Sequence, residues 1–193
     1  MRDIVKLAVF LLVTSGVAGL GVSYVNTLTG PLIEKQILQA KINSFREVYP
    51  QSDEVKDETA KYLKPDKKSL LKEVNIAYRK GAPAGVLYTV VAKGYGGPIT
   101  LMAGFDIASG KLTAIKVLSQ TETPGLGSKS KDSFFQDRFR DKNTVTPLEV
   151  TKLAPVKENQ IQAITASTIT SKAVTKGVNA AREHFLAGFA NKP

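Results

Sequence analysis

The sequence predicts an α+β fold, in which an antiparallel sheet domain has flanking helices and is preceded by one N-terminal transmembrane helix. Three observations predict this arrangement. Residues 7–25 form an uncharged apolar run, the middle of the chain holds a block of short strand-like runs, and an apolar stripe at helical spacing lies near the carboxyl end. Strands in one block with helices before and after them are typical of the α+β class.

The N-terminal apolar segment is long enough to cross a membrane as a helix. About 20 apolar residues span the hydrocarbon core of a bilayer, and no charged residue lies between Lys6 and Glu34. Arg2 and Lys6 precede the segment, and the next basic residue is Lys35. The positive-inside rule therefore keeps the short amino terminus in the cytoplasm and predicts that the rest of the chain is extracytoplasmic.

A cleaved signal peptide is the alternative, because it also has basic residues before an apolar run. The run is long for such a peptide, and Val22, Ser23 and Tyr24 form a poor cleavage site. We therefore favour a retained anchor. Pro31 follows Gly30 and is suited to open a second helix, so we expect the membrane helix to end there.

The apolar segment and the charged stretch after it divide the chain into three predicted parts. We predict a stalk helix that ends before Pro50, and then an irregular connector that is charged and contains Pro65. The predicted parts are residues 1–30 (cytoplasmic tip and transmembrane helix), 31–69 (stalk helix and connector) and 70–193 (extracytoplasmic domain).

The folded domain should begin with a meander of antiparallel strands. Runs rich in β-branched and aromatic residues, separated by glycine and proline, cover residues 71–79, 86–93, 99–107 and 112–119. The last predicted element is a helix over residues 171–190. Its apolar stripe consists of Val174, Val178, Ala181, Phe185 and Phe189.

Composition narrows the classes of function. The chain has no cysteine, which excludes disulfides, thiolate metal ligands and cysteine nucleophiles. His184 is its single histidine, and we interpret it as a surface or boundary residue. The net charge is +10, but the lysines alternate with acidic residues, so we expect no nucleic-acid binding. A secreted basic domain that binds anionic polymers is an alternative based on charge alone.

Five hydroxyl side chains lie just before the last predicted helix, at Thr165, Ser167, Thr168, Thr170 and Ser171. A single hydroxyl is enough to cap a helix, and capping is the simplest interpretation of this segment. The first turn of a helix also offers free backbone N–H groups and a dipole that favours an anion. A phosphate group is the anion that this arrangement fits best.

Two glycine-rich stretches precede this cluster, KGYGGP over residues 93–98 and QTETPGLGSK over residues 120–129. Glycines on both sides of Leu126 let the backbone approach a flat ligand closely. Ordinary turns are the alternative, and neither stretch has the spacing of a P-loop or of a dinucleotide-binding loop.

Together, KGYGG, ETPGLGSK and the hydroxyl cluster, behind one membrane helix, resemble the FMN-binding subunits of two respiratory complexes. These are the G subunit of the Rnf ferredoxin:NAD oxidoreductase and the C subunit of the sodium-pumping NADH:quinone oxidoreductase. The length of the chain is closer to the Rnf protein, which we favour. A non-catalytic, membrane-anchored assembly or binding module of the same fold is a further alternative.

The resemblance implies FMN joined through a phosphoester to Thr168 by a flavin transferase. The family pattern is S/T-G-A-T-x-x-S/T, and its first four places are occupied here by Thr165, Ala166, Ser167 and Thr168. Ala166 therefore stands where glycine is usual and Ser167 where alanine is usual. Gln162 stands where an acidic residue is common. If the turn needs a positive φ, Ala166 adopts it at a cost.

The resemblance also implies the site and the partners. The expected FMN-binding residues are Glu122, Thr123, Leu126, Gly127, Lys129, Ser167, Thr168, Thr170 and Ser171. We expect Lys129 to stabilise reduced, anionic flavin. The chain is then an electron-transfer subunit rather than a stand-alone enzyme, without catalytic or metal-binding residues of its own. Its partners are the other membrane subunits of the Rnf complex in the bacterial cytoplasmic membrane.

Overall fold

The computed structural model describes residues 2–64, 66, 68–155 and 157–189, apart from the side chains of residues 33, 34 and 36–38. The chain divides into two compact units, Met1–Lys41 and Ile42–Pro193. Pro65, inside the predicted connector, and residue 190, the end of the last predicted helix, lie outside the described residues.

Helix α1 (Arg2–Val48) is continuous, and Pro31 lies inside it. The predicted break at Gly30–Pro31 is therefore wrong, whereas the predicted end before Pro50 is confirmed. A proline removes one backbone donor, and long apolar helices tolerate that loss. The segment Arg2–Leu32 is 31 residues long and apolar enough to cross a membrane.

The second unit contains a six-stranded antiparallel sheet, with its strands in the order β1-β2-β3-β4-β5-β6. The strands are β1 (Glu54–Asp57), β2 (Leu71–Arg79), β3 (Ala82–Lys93), β4 (Pro98–Asp106), β5 (Lys111–Ser119) and β6 (Lys142–Asn143). The predicted meander is thus confirmed as β2 to β5. The charged connector contributes edge strand β1, which the sequence did not predict because an exposed edge strand lacks an apolar face.

The remaining elements follow the sheet or lie at its edges. They are α2 (Thr59–Tyr62), α3 (Ser133–Gln136), α4 (Thr168–Gly188), the 3₁₀ turns Gly127–Lys131 and Asp137–Phe139, and the parallel pair β7 (Glu149–Thr151) and β8 (Gln160–Gln162).

Helix α4 covers one face of the sheet and forms the main core with it. Val174, Val178, Ala181 and Phe185 of the predicted stripe are fully buried. Phe185 stacks on Phe105 of β4, with their ring centroids 4.9 Å apart. The predicted helix is confirmed, and its packing on the sheet determines where its first turn lies.

The end of α1 is part of a second cluster of buried residues. In this cluster Val48 and Tyr49 pack with Ala77, Leu87 and Met102. Gly104 provides the space, because a Cβ there would lie 2.4 Å from Val48 Cγ1. The hydroxyl of Tyr49 donates a hydrogen bond of 2.7 Å to Asp106 Oδ2. Burial alone would raise the pKa of Asp106, but hydrogen bonds from Ser109 and Tyr49 hold it below its ordinary value.

Replacing Gly104 with alanine should destabilise the second unit. The added methyl group has to displace Val48, and overpacking of this kind costs about 1–3 kcal/mol. The measurement is the unfolding temperature of the full-length protein in detergent. Gly188→Ala is the matched control, since a Cβ there meets nothing within 4 Å. Equal unfolding temperatures for the two variants would contradict the close packing of Val48 on Gly104.

Candidate functional site

Three sequence segments converge on one cavity of about 390 Å³, a volume in the range of small-molecule sites. They are the loop after β3, the loop after β5 and the first turn of α4. Seven of the nine predicted site residues line the cavity: Glu122, Thr123, Leu126, Gly127, Ser167, Thr168 and Thr170. The structure adds Tyr95, Ala166 and Ile169. Tyr95 belongs to the KGYGG stretch, which was the available signal for it.

Two predicted residues do not line this cavity. Lys129 is exposed on the 3₁₀ turn that follows the loop, so its predicted effect on a reduced flavin stays a prediction. Ser171 is fully buried. Its hydroxyl accepts a hydrogen bond from the Ile164 N–H at 2.9 Å and donates one to the Ser167 carbonyl at 3.0 Å. In this structure Ser171 supports the turn that precedes α4.

The buried carboxylate of Glu122 connects all three segments. Its Oε1 accepts a hydrogen bond of 2.9 Å from the Gly96 N–H, and its Oε2 accepts one from the Thr170 hydroxyl. An ionised carboxylate is an acceptor only, so both bonds suit that form. The resemblance implied that Glu122 binds FMN, and in this structure both of its oxygens accept hydrogen bonds from protein groups.

Two glycines of these loops, Gly94 and Gly127, leave room for this carboxylate. A Cβ on Gly94 would lie 2.3 Å from Glu122 Oε1, and a Cβ on Gly127 would lie 2.5 Å from Glu122 Oε2. Backbone must therefore approach the carboxylate closely from both sides. Crowding against the carboxylate thus gives a reason for Gly127, which the sequence associated with the approach of a flat ligand, and also for Gly94 of the KGYGG stretch.

The first turn of α4 lines the cavity and has backbone donors without a partner among the described residues. Its first intrahelical hydrogen bond joins the Ser171 N–H to the Ser167 carbonyl at 3.0 Å. The N–H groups of Thr168, Ile169 and Thr170 precede that bond, and they have no partner within the described part of the chain. Together with the helix dipole, these groups favour an anion.

Ser167 occupies the N-cap position of α4 without acting as a cap. Its side chain makes no capping hydrogen bond. The residue is 6% exposed, and its hydroxyl oxygen is buried without a partner among the described residues. Capping, the simplest interpretation of the cluster, therefore does not explain this hydroxyl.

Ala166 has φ = +60°, in the left-handed region. This conformation costs a residue with a Cβ roughly 1–2 kcal/mol, whereas glycine adopts it freely. The turn before α4 thus needs a positive φ, which explains why a glycine suits this position. Here an alanine meets the same backbone requirement at an energetic cost.

The mouth of the cavity is apolar, and its wall carries no positive charge. Tyr95, Leu126 and Ile169 are 72%, 42% and 56% exposed. Of the described residues that line the cavity, Glu122 is the only Asp, Glu, Lys or Arg. An anion in the cavity would therefore be held by N–H and O–H donors, while a flat apolar group could cover the three exposed side chains.

His184 is a boundary residue of the helix–sheet interface, as predicted. Its Nε2 lies 3.1 Å from the Tyr62 carbonyl, which can only accept, so Nε2 carries the proton. Its Nδ1 then accepts from the Tyr88 hydroxyl at 3.0 Å. Burial raises the pKa of Tyr88, which keeps this hydroxyl protonated as a donor. Among the described residues, no group of three or more His, Asp or Glu side chains could hold a metal ion.

Comparison with known proteins agrees with the geometry. Residues 94–183, which include all the lining residues, match the family described as the FMN-binding domain. The solved structure of the C subunit of the Na⁺-translocating NADH-quinone reductase from Parabacteroides distasonis has the same fold. The TM-score is 0.57 at 19% sequence identity, over 74% of this chain and 79% of that one.

Two curated relatives define the family more closely. The G subunit of the Na⁺-translocating ferredoxin:NAD⁺ oxidoreductase complex of Acetobacterium woodii is 36% identical over 190 residues, covering 92% of this chain and 89% of the relative. The G subunit of the proton-translocating complex of Clostridium ljungdahlii is 32% identical over 173 residues, covering 90% and 86%. The chain belongs to the family of G subunits of ion-translocating ferredoxin:NAD⁺ oxidoreductase (Rnf) complexes, which confirms the resemblance found in its motifs.

Replacing Ala166 with glycine should stabilise the protein. Glycine removes the left-handed strain, and the gain should be about 1 kcal/mol after the greater flexibility of the unfolded glycine chain is subtracted. The unfolding temperature of the full-length protein measures the effect. Lys80→Gly is the matched control, because Lys80 has φ = +52° and does not line the cavity. A lower unfolding temperature for Ala166→Gly alone would show that Ala166 is not strained.

Proposed function

We propose that the chain is a membrane-anchored flavoprotein subunit of an Rnf complex, which carries covalent FMN on Thr168 and relays electrons. The observation that carries this proposal is the first turn of α4. There a hydroxyl in the cavity wall stands beside three N–H groups that have no partner among the described residues. Membership in the family of G subunits supports the assignment to an Rnf complex.

The residues of the cavity fit FMN at both of its ends. The N–H groups of the first turn provide donors for a phosphate. Tyr95, Leu126 and Ile169 provide apolar surface for a flat ring system. When bound, FMN supplies the redox chemistry, and the protein supplies binding, orientation and electrostatics.

Burial and hydrogen bonding distinguish Thr168 from its neighbours as the attachment residue. Thr170 is 2% exposed and donates its hydroxyl to Glu122, and Ser171 is fully buried. Ser167 is nearly as buried, and Thr165 is exposed but does not line the cavity. Thr168 is half-buried, begins α4 and lines the cavity, so a transferase can reach its hydroxyl.

The ester requires a transferase and an activated flavin donor. The Thr168 oxygen would form a bond to the FMN phosphorus while the bond from phosphorus to the donor's leaving group would break. The leaving group would depart as an anion, and the hydroxyl proton would pass to solvent. The resulting phosphodiester keeps one negative charge at the helix N-terminus, where the dipole stabilises it. Covalent attachment keeps the cofactor on the protein outside the cytoplasm, where free FMN is scarce.

The location and the partners follow from the same proposal. The segment Arg2–Leu32 anchors the chain in the bacterial cytoplasmic membrane, with Arg2 and Lys6 on the cytoplasmic side and the FMN domain outside. The chain assembles with the other membrane subunits of the complex and receives its flavin from a flavin transferase. The equivalent subunit of the sodium-pumping quinone reductase is the second candidate, since its solved relative has the same fold.

Replacing Thr168 with alanine should abolish covalent flavin. After co-expression with a flavin transferase, the wild-type band should fluoresce under ultraviolet light on a denaturing gel, and the Thr168→Ala band should not. Thr165→Ala is the control and should keep its fluorescence, because Thr165 does not line the cavity. Fluorescence that survives in Thr168→Ala would place the ester on another hydroxyl.

The side of the membrane can be tested with single cysteines, because the chain has none of its own. In intact spheroplasts, a membrane-impermeant maleimide should label Lys152→Cys in the exposed part of the second unit. It should label Asp3→Cys, near the amino terminus, only after lysis. The reverse pattern of labelling would place the FMN domain in the cytoplasm.

A further inference from the structure

Two further cavities of the second unit adjoin each other beside α4. The first has a volume of about 410 Å³ and is lined by residues of α4 and β7, and the second, of about 360 Å³, is lined by the end of β3 and the start of β4. Leu70 belongs to both walls. A Cβ on Gly177 of α4 would lie 3.5 Å from the Cβ of Ala92, which lines the second cavity. We call the two cavities together the α4 groove.

Lysine is the main charged residue of the α4 groove. Its described lining residues include one acidic residue, Glu183, and five lysines: Lys68, Lys72, Lys93, Lys172 and Lys176. All five are exposed, and none forms a salt bridge with a described residue. By contrast, Lys56, Lys61 and Lys116 each pair with a glutamate. The groove therefore carries positive charge that the described part of the chain does not neutralise.

The same groove has an apolar part. Ala92 and Leu148 are buried in its wall, and Leu70, Val91 and Val150 are half-buried there. An apolar centre with a polar margin is the usual anatomy of a protein interface. A concave surface of this kind fits an amphipathic segment whose apolar side chains cover the apolar part and whose carboxylates contact the lysines.

The α4 groove borders the candidate site. Thr168 lines the site and Lys172 lines the groove, and a spacing of four residues places them on one face of α4, one turn apart. In the KGYGG stretch, Tyr95 lines the site and Gly97 lines the groove. A partner bound in the groove therefore lies next to the cavity in which FMN is proposed.

We propose that the α4 groove docks an acidic, amphipathic segment of a neighbouring subunit of the complex. Assembly with other subunits rests on the proposed function, whereas the charge and the apolar part of the groove do not. The bound segment neutralises the lysines, covers the apolar residues and holds its subunit beside the flavin.

Cross-linking of the intact complex, purified in detergent, tests the occupant of the groove. A zero-length carbodiimide joins a lysine to a carboxylate that it contacts. The groove lysines should be joined to Asp or Glu of another subunit, as identified by mass spectrometry, and Lys152 and Lys157, which do not line the groove, should give no such link. Equal yields from both sets, or links only to a second copy of this chain, would overturn the proposal. So would the absence of links, which is expected if lipid phosphates fill the groove.

Charge reversal tests whether the contact matters for assembly. The double variant Lys72→Glu, Lys172→Glu should lower the yield of assembled complex about 10-fold or more, because like charges then face each other across the interface. Arginine at the same two positions keeps the charge and should assemble like the wild type. The matched control Lys152→Glu, Lys157→Glu changes the net charge equally outside the groove and should also assemble normally. A wild-type yield from the Lys72→Glu, Lys172→Glu variant would contradict docking at this groove.

In-gel flavin fluorescence separates this inference from the proposed function. The Lys72→Glu, Lys172→Glu variant should keep covalent flavin, because neither lysine lines the candidate site. Loss of flavin with normal assembly would assign the groove to the transferase and overturn the inference. A wild-type complex that gives the groove cross-links but carries no covalent flavin would refute the ester and leave the docking surface standing.

Discussion

The candidate site depends on one buried carboxylate. Glu122, in the loop after β5, accepts hydrogen bonds from the Gly96 N–H and from the Thr170 hydroxyl. It therefore joins its own loop to the loop after β3 and to the first turn of α4. The sheet places the ends of β3 and β5 at the same edge, since Lys93 pairs with Pro98 and Thr100 pairs with Ser119. The hydrogen bond from Thr170 adds the first turn of α4, which is distant in sequence from both loops. Hydrogen bonds to a carboxylate are stronger than those between neutral groups, which suits a junction of three separate segments.

The surplus of hydroxyl groups before α4 is explained by a division of roles. Thr170 is bonded to Glu122, and Ser171 supports the preceding turn through Ile164 and the Ser167 carbonyl. Thr168 lines the cavity and is partly accessible, whereas the Ser167 hydroxyl is buried and has no partner among the described residues. Two of the five hydroxyls thus form hydrogen bonds that join the site to its surroundings, which a single helix cap does not require.

The scaffold explains how the site keeps its shape. Helix α4 is held by a fully buried stripe and by Phe185 stacked on Phe105, so its first turn is positioned by the packing of the whole helix. On the second core cluster, Val48 and Tyr49 occupy space left by Gly104 and Gly85. Because both clusters are closely packed, the loops that carry Glu122 and Tyr95 extend from a rigid sheet.

The sequence by itself determined the four central strands, the last helix, the apolar anchor and most of the residues in the cavity wall. These depend on local periodicity, on composition and on motifs that occupy short stretches of chain. It did not determine the course of α1 through Pro31, since helical context decides whether a proline breaks a helix. Only the tertiary structure decided which hydroxyls are bonded, why Gly94 and Gly127 are needed, and that Lys129 lies outside the cavity wall. These features depend on contacts between residues far apart in the chain, which the pattern of any single segment does not contain.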